Sequence, residues 1–218
     1  MIYRKNIIKI AIDSPAAAGA GTQATLISKH YNLLKLDTGL CYRYIAKIKL
    51  ESRSKFNYNL IKKKIDKLNI KDLHKMRLHS DVIATTASLI AKDKKIRRLI
   101  HSFQLKCAYN PPKRYKGSCL DGRDICSVIM PDADIKLFIT ANLKIRAIRR
   151  YKELKKKNYN ISFKEVLKSI KKRDKSDKSR KISPLKKTKD SILINTSNLS
   201  KRACFLKIKK IIDRKINI

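Results

Sequence analysis

The chain has 218 residues, of which 43% are hydrophobic, enough for one domain with a sizeable core. No uninterrupted apolar run approaches the ~20 residues that a membrane-spanning helix needs, so no membrane span is predicted. The first residues lack the apolar segment and small-residue cleavage site of a secretory signal, which predicts a cytoplasmic protein.

The formal net charge of +38 is the most unusual feature of the composition. A charge of this size indicates binding to nucleic acid or another polyanion. It is, however, spread over nearly every segment, few aromatic residues accompany it, and Ile and Asn are abundant as well. We therefore interpret the charge as compositional bias of the kind an AT-rich genome produces, and expect no specific nucleic-acid partner.

The cysteines indicate a reduced, intracellular protein. The five positions are Cys41, Cys107, Cys119, Cys126 and Cys204. Their number is odd and their spacing is not that of a metal site, so each is expected to be a small buried hydrophobic residue.

The first part of the chain predicts strand, loop and helix in succession. The apolar run 7–13 is typical of a buried parallel strand. Small and apolar residues recur at helical spacing from Thr22 to about His30. A second strand is predicted at 33–39 and a second helix at 40–52.

The middle of the chain is less regular. Residues 53–81 are rich in Lys and Asn without a clear period, and are predicted to form a small insertion beside the main sheet. Helical periodicity returns over 82–108. A turn is predicted at 108–117, where Pro111 and Pro112 prevent helix continuation.

The last part alternates again between strands and helices. Strands are predicted at 118–125, 134–141 and 191–197, a long basic helix at 143–157, and a last helix from about Leu199. The alternation predicts an α/β fold with a parallel sheet and crossover helices. In such folds ligands bind at the carboxyl ends of the strands.

The segment DSPAAAGAGT, residues 13–22, follows the first predicted strand and is similar to the phosphate-loop pattern G-x-x-x-x-G-K-[ST]. Gly19 matches the pattern, whereas Ser14 stands at the first glycine and Ala20 at the lysine, and Gly21 and Thr22 follow. Small side chains let backbone N–H groups reach an anion. The loop alone leaves two interpretations open, a phosphate site or a strand–helix turn without a ligand.

Two further polar stretches follow predicted strands. In LDTGLCYR (36–43), Arg43 is suited to a bidentate phosphate contact. Asp37 or Thr38 is equally suited to cap the next helix. In DGRD (121–124), two carboxylates and a guanidinium share one turn, which indicates a base- or metal-binding role.

Arginines are concentrated on two predicted helical segments near the end of the chain. They are Arg146, Arg149 and Arg150 on the first, and Arg173 and Arg180, with Asp177 between them, on the second. Such a pair is typical of a lid that closes over polyphosphate. A salt-bridged surface helix is the alternative.

Taken in order, these stretches resemble the bacterial cytidylate kinase family, a branch of the P-loop nucleoside monophosphate kinases. The resemblance runs from about Ile8 to Ile212, interrupted mainly at 53–78. It is carried by IAIDSPAAAGAGT, LDTGLCYR, ASLIAKDKKIR, LDGRDICSVIMPDADIKLFITA, RAIRRYKEL, KKRDKSDKSRKISPLK and ILINTSNLS. It implies a three-layer α/β P-loop kinase fold with a parallel central sheet, a small monophosphate-binding insertion and a helical lid.

The resemblance also implies a role for each matching residue. The ATP phosphates are expected on Ser14, Pro15, Ala16, Ala17, Ala18, Gly19, Ala20, Gly21 and Thr22, with Mg²⁺ on the Thr22 hydroxyl. CMP or dCMP is expected at Thr38, Arg43, Ser88, Arg97, Arg123, Asp124, Asp177 and Arg180. Arg146, Arg150 and Arg173 are expected to be catalytic. Within this set, Asp124 and Arg180 would read the edge of cytosine and Asp177 would hold the sugar hydroxyls.

The implied activity is transfer of the γ-phosphoryl group of ATP to CMP or dCMP in pyrimidine nucleotide metabolism, with no covalent protein intermediate. One domain is predicted over 1–218. Its parts are a core at 1–52, 82–142 and 184–218, a monophosphate-binding insertion at 53–81 and a lid at 143–183. A monomer is expected.

The chain departs from the family pattern at positions of positive charge or flexibility. Ala20 replaces the loop lysine, and losing such a donor typically costs roughly 10²–10³ in rate. Ser14 replaces the first loop glycine, which matters if that site requires positive φ. Leu105 and His79 stand where arginines are expected. A lysine from outside the loop, such as Lys5 or one in the lid, is a candidate replacement.

Two other functions stay open on sequence alone. A CMP-binding protein without turnover would keep the motifs at 36–43, 87–97 and 121–127 beside a damaged loop. A basic nucleic-acid-binding protein built on a kinase fold would show a steep salt dependence of its affinity.

Overall fold

The computed structural model describes residues 4, 6–52, 55–78, 80–157 and 159–216. Its strands are β1 (Ile8–Asp13), β2 (Leu33–Asp37), β3 (Gly117–Gly122), β4 (Ile135–Thr140) and β5 (Ile192–Asn195). Its α-helices are α1 (Ala20–Tyr31), α2 (Thr38–Ser52), α3 (Tyr58–Asp66), α4 (Ile70–Lys75), α5 (Asp81–Ile90), α6 (Lys94–Tyr109), α7 (Leu143–Lys156), α8 (Phe163–Ser179) and α9 (Lys201–Ile216). A short π-helix, Ile125–Ile129, follows β3.

The described strands form one parallel sheet in the order β2-β3-β1-β4-β5. The register sets Asp13 of β1 beside Gly122 of β3, and Asp37 of β2 beside Asp121 of β3. The carboxyl ends of three neighbouring strands therefore meet at one level. The predicted α/β fold with a parallel central sheet is confirmed.

Helices cover both faces of the sheet because strand side chains alternate between two apolar clusters. Ile10 and Ile12 of β1 belong to the cluster shared with α1 and α9, whereas Ala11 belongs to the one shared with α2, α5 and α6. Ile27 and Ile208 are completely buried in the first cluster. Burying one such side chain contributes about 1.5–3 kcal/mol, so the layers hold the strand ends firmly.

Helices α7 and α8 pack on each other through a smaller apolar cluster of their own. Its buried members are Ala147, Leu154, Val166 and Ile170. Ser162 and Glu165 cap the start of α8 reciprocally, which satisfies two backbone N–H groups. This helical hairpin lies within the segment predicted to be a lid.

Two helices occupy the segment 82–108, where the sequence shows one stretch of helical periodicity. The side chain of Asp93 accepts hydrogen bonds from the amides of Lys95 and Ile96, at 2.8 and 3.0 Å, and so starts α6. The periodicity continues across the break because α5 and α6 face the same apolar cluster.

The segment 53–81 contains α3 and α4, both too short for a clear period in the sequence. Asn57 and Asn69 cap them, accepting from backbone amides at 2.9 and 2.7 Å. Ile61 and Leu73 are buried in the same cluster as α2 and α6.

All five cysteines are buried and free, as predicted. The lysine runs at 62–64 and 155–157 are exposed. Within the described residues, no helix is both long and apolar enough to cross a membrane.

Candidate active site

The loop between β1 and α1 is held at both ends by other strands. The Ser14 amide donates to the carbonyl of Gly122 at 3.1 Å, and the Thr196 hydroxyl donates to the carbonyl of Ala18 at 2.9 Å. Gly19 has a φ of +93°, and no described side chain caps α1. The N–H groups of the first turn of α1 are therefore open to an anion.

The departures from the phosphate-loop pattern have different structural consequences. Ser14 does not lie at positive φ, so the strain anticipated there is absent. Ala17 instead has a φ of +58°. A side chain in this region costs roughly 1–2 kcal/mol. Ala20 is 5% exposed at the start of α1, and its methyl group brings no charge to the loop.

Two arginines of α7 lie beside the loop. Arg146 donates to the carbonyl of Ala16 at 3.1 Å and pairs with both carboxylate oxygens of Asp174, at 3.0 and 2.6 Å. Arg149 donates to the hydroxyl and the carbonyl of Thr196, at 2.8 and 2.6 Å. Thr196 also holds the loop, so it fixes Arg149 at the loop rim through two uncharged acceptors.

Arg150 is placed differently. It forms an ion pair with Glu153 along α7, at 3.0 Å, and its side chain is 21% exposed, compared with 7% for Arg146. Of the two α7 residues predicted to be catalytic, the structure brings Arg146 into contact with the loop.

A pair of carboxylates adjoins the first turn of α1. Asp37 accepts from the Gly39 amide, and the Thr38 hydroxyl donates to the carbonyl of Asp121, both at 2.9 Å. Burial raises the pKa of Asp121, and the negative charge of Asp37 raises it further. One Asp121 oxygen is buried without a hydrogen-bond partner among the described residues. The other lies 3.6 Å from the point where a side chain on Gly21 would begin.

A lysine lies next to this pair. Lys35 of β2 donates to the Thr25 hydroxyl at 2.8 Å, which donates to the carbonyl of Gly21 at 2.8 Å. The positive charge of Lys35 lowers the pKa of Asp121, but burial and the charge of Asp37 raise it by more. Thr22 is exposed on the same turn of α1.

Asp124 is buried between two arginines. Arg97 donates to one of its oxygens in a short hydrogen bond, and a guanidinium nitrogen of Arg180 lies 3.8 Å from the other. Arg97 also donates to the carbonyl of Ala91 at 3.3 Å, and Arg180 to that of Ser183 at 2.5 Å. These charge-assisted contacts from separate segments fix the direction in which the carboxylate points.

Asp177 is the centre of a second buried network. Arg123 donates to it at 2.7 Å, and Arg173 lies 3.9 Å away. Burial alone would raise the pKa of Asp177, but Arg123 and Arg173 outweigh it and lower the pKa.

Positive charge exceeds negative charge in this network. Burial, and then the charges of Arg123 and Arg43, lower the pKa of Arg173 to about 10. Arg43 itself donates to the carbonyl of Leu78 at 2.9 Å. The Nε atom of Arg173 is buried and has no hydrogen-bond partner within the described chain. Arginines crowded in this way are suited to an anionic ligand.

Gly122 determines how closely the end of β3 approaches α2. A side chain there would begin 2.3 Å from the Thr38 hydroxyl and 2.8 Å from Ile125. Ser88 lies half-buried on α5, and its hydroxyl makes no hydrogen bond to any described residue. The structure therefore brings Thr38 to the carboxylate edge, whereas Ser88 has no hydrogen-bond partner among the described residues.

Two positions named from sequence, Lys5 and His79, lie outside the described residues. Leu105 is partly buried against the apolar cluster of α2 and α6, so it contributes packing where an arginine was expected.

Comparison with known proteins agrees with the resemblance that the sequence motifs show. The family model described as cytidylate kinase matches residues 10–214. The cytidylate kinase of Clostridium botulinum (strain Okra / Type B1) is 38% identical over 223 residues, covering 97% of each chain. That of Bartonella henselae is 40% identical over 208 residues, covering 94% of each. The chain belongs to the cytidylate kinase family.

The resemblance seen in the motifs is thereby confirmed, and membership of the cytidylate kinase family makes the chain a phosphotransferase. A crystal structure of an uncharacterized protein from Eubacterium ventriosum matches with a TM-score of 0.56 at 19% identity, covering 94% of this chain and 98% of that one. At this identity the similarity shows the fold alone.

Sequence reasoning missed several polar residues of this cytidylate kinase site. Asp13 is a buried and Asp174 a half-buried partner of site elements, and Thr196, which follows β5, holds the loop. Asp121 was named from sequence only as part of the DGRD turn. One signal was present, because β1 and β2 each end in Asp and β3 carries Asp121 as its penultimate residue. Acidic residues aligned at the ends of buried strands indicate a shared function at that edge.

Proposed function

We propose that this member of the cytidylate kinase family transfers the γ-phosphoryl group of ATP to CMP or dCMP, giving ADP and CDP or dCDP. One observation carries the proposal. The buried Asp124 carboxylate, paired with Arg97 and Arg180, lies at the same sheet edge as the uncapped start of α1. The first arrangement suits a base and the second suits phosphates.

The base-reading part of the proposal follows from hydrogen-bond chemistry. An ionised carboxylate only accepts, so Asp124 suits the exocyclic amine of cytosine, a donor. Arg180 only donates, so it suits the acceptor atoms of the ring. Uracil carries a carbonyl oxygen in place of the amine, and Asp124 would repel it. This arrangement favours CMP over UMP.

The rest of the acceptor nucleotide is assigned to the second network. Asp177 suits the sugar hydroxyls as an acceptor. Arg43, Arg123 and Arg173 suit the monophosphate, because they are crowded together with one carboxylate between them. Thr38 and Ser88 complete the acceptor pocket, the name used below for Thr38, Arg43, Ser88, Arg97, Arg123, Asp124, Asp177 and Arg180.

Phosphoryl transfer requires positioning and neutralisation rather than a covalent intermediate. The donor loop, residues 14–22, offers backbone N–H groups to the ATP phosphates. Arg146, which already contacts this loop, is assigned to the transferring group. Arg150 and Arg173 are assigned to it as the 143–183 segment closes and excludes water.

Mg²⁺ is the metal that accompanies ATP in this chemistry, and the residues at the loop fit it. Thr22 supplies a hydroxyl, and Asp37 and Asp121 supply carboxylate oxygens, one of which, on Asp121, has no hydrogen-bond partner among the described residues. A hard cation prefers oxygen ligands of this kind. When bound, the ion would neutralise phosphate charge, with Thr22 as its protein ligand and the two carboxylates nearby.

Positive charge at the donor loop is assigned to α7 rather than to a lysine. Arg146 and Arg149 contact the loop or the residue that holds it. Both therefore take over part of the neutralisation that a loop lysine in place of Ala20 would provide. We further propose a cytoplasmic monomer of one domain, with 53–81 as its monophosphate-binding insertion.

The direct test is ADP formation from MgATP with CMP, dCMP, UMP or AMP as acceptor. We expect turnover with CMP and dCMP, and much less with UMP and AMP. Two controls accompany the assay, ATP alone for hydrolysis and CMP binding by calorimetry for the integrity of the pocket.

The alternatives give different results. CMP binding without ADP formation would identify a non-catalytic nucleotide-binding protein, although the relatives reported above carry the name of a kinase. Tight RNA or DNA binding with a steep salt dependence and no CMP binding would identify a nucleic-acid-binding protein.

A further inference from the structure

Asp13, the last residue of β1, is fully buried, and neither the donor loop nor the acceptor pocket includes it. Its two carboxylate oxygens accept hydrogen bonds from consecutive backbone amides. One comes from Ile125 at 2.7 Å and the other from Cys126 at 3.0 Å. These amides open the π-helix that follows Asp124.

The position of Asp13 links two functional segments. It precedes Ser14, the first residue of the donor loop, whose amide donates to the carbonyl of Gly122. The Ile125 amide that it binds follows Asp124 directly. One carboxylate therefore connects the strand that carries the donor loop to the turn that carries the base-reading residue. Without it, the Ile125 and Cys126 amides would be buried without these acceptors, which costs free energy unless the turn shifts.

We propose that Asp13 is a positioning residue for cytosine recognition, which fixes the Asp124 turn by accepting from the Ile125 and Cys126 amides. The inference rests on the proposed function, since it assumes that Asp124 reads the base. It assigns to Asp13 no contact with either nucleotide.

The carboxylate must be ionised to accept from both amides, since a neutral carboxyl group presents a donor at one oxygen. Burial raises the pKa of Asp13 to about 6, with the two amides opposing the shift and Asp124 adding to it. The titratable groups facing Asp13 are Asp124 and the Cys126 thiol. Its neighbours in the sheet, Gly122 and Phe138, are uncharged. The turn should therefore loosen as the pH falls through about 6.

The experiment compares wild type with Asp13→Asn, which has the same shape but one acceptor oxygen and no charge. At pH 7.5 we expect the KM for CMP to rise about tenfold, since one hydrogen bond to a charged group is worth about 1.5 kcal/mol or more. The KM for ATP should change less than twofold. Asp213→Asn is the matched control, because Asp213 pairs with Lys209 and accepts from the Tyr31 hydroxyl at the end of α1 that is opposite to the donor loop.

The pH arm uses a ratio because the phosphate of CMP itself titrates near pH 6. Dividing the KM for CMP of Asp13→Asn by that of wild type at each pH removes the substrate titration. We expect this ratio to fall from about ten at pH 7.5 towards one at pH 5, as wild-type Asp13 becomes neutral. A ratio that stays constant, or equal changes in the KM values for CMP and ATP, would show a merely structural role and overturn the proposal.

A second measurement needs no variant. In wild type, the amide proton resonances of Ile125 and Cys126 should titrate together with a midpoint near pH 6. Resonances that do not move between pH 5 and 7.5 contradict the proposal. If the wild-type protein lacks kinase activity, the proposed function fails, while the same ratio measured on CMP dissociation constants still tests the role of Asp13.

Discussion

The donor loop and the acceptor pocket lie at the same edge of the sheet, but different forces hold them. The loop consists of small side chains and is fixed by backbone contacts, such as the one from the Ser14 amide to Gly122. The pocket is fixed by paired charges, with Asp124 between Arg97 and Arg180, and Asp177 between Arg123 and Arg173.

This difference predicts that the two regions tolerate side-chain replacement differently. An anion site made of backbone N–H groups survives side-chain replacement, because every residue except proline supplies the same donor. The loop accordingly keeps its left-handed Gly19 and its open helix start despite Ser14 and Ala20. A base-reading site made of carboxylates has no such tolerance, because the removal of one partner leaves the others charged and buried.

The largest effect is expected from Asp124→Ala in the acceptor pocket. The change leaves Arg97 and Arg180 buried without their carboxylate and removes the acceptor for the cytosine amine. Truncating such a partner costs about 4 kcal/mol, so kcat/KM for CMP should fall about 10³-fold.

Asp132→Ala serves as the control for this change. Asp132 pairs with Lys9 near the start of β1, at the opposite edge of the sheet from Asp124, and its side chain is 56% exposed. Its variant should keep kcat/KM for CMP within about twofold of wild type. Comparable losses in the two variants would remove the assignment of Asp124 as the base reader.

In the donor loop, Ala20→Lys should have the opposite effect to Asp124→Ala, because it should raise the activity. Restoring a transition-state donor should raise kcat by about 10²-fold, and Ala20→Met, which adds length without charge, should not. The measurement is steady-state ADP formation at saturating CMP. An unchanged kcat in the lysine variant would mean that Arg146 and Arg149 already supply the full neutralisation.

A smaller contrast is expected within α7. Arg146→Met removes a guanidinium that contacts the carbonyl of Ala16, and kcat/KM for ATP should fall ten- to a hundredfold. Arg150→Met changes a more exposed side chain that pairs with Glu153, and the loss should be about threefold. Equal losses would mean that the contact between Arg146 and the loop gives it no larger role than Arg150, which is assigned to the phosphates only on closure.

Much of the fold follows from local pattern in the sequence. The continuous apolar run at β1 and the alternation of strands with helices predict the parallel sheet, because both features reflect a strand covered by helices on two faces. The break at Asp93 and the helices α3 and α4 were not predicted. Helix caps depend on single polar side chains and leave no period in the sequence.

The candidate site likewise contains residues that the sequence indicates and residues that only the structure shows. Asp124, Asp177 and their arginines were named from sequence because they lie in recognisable motifs, although their pairing required the structure. Asp13 was missed because its partners are backbone amides 112 and 113 residues away, which no sequence pattern marks. The strain at Ala17 was likewise invisible, since its φ is set by how both ends of the loop are anchored.

The backbone strain at Ala17 leads to the last prediction, which has the smallest expected effect and concerns Ala17→Gly. A residue with a side chain costs roughly 1–2 kcal/mol in the left-handed backbone conformation, and glycine removes this cost. Glycine also raises the entropy of the unfolded chain, which offsets about 0.5–1 kcal/mol of the gain. The net gain in the free energy of unfolding should be about 0.5–1 kcal/mol by urea denaturation. Ala16→Gly, at a position without positive φ, should lose a similar amount. Two changes of the same sign would show that φ at Ala17 is not the cause. Because the backbone strain and the missing charge are separate properties of the loop, Ala17→Gly should raise stability without reproducing the rise in kcat expected from Ala20→Lys.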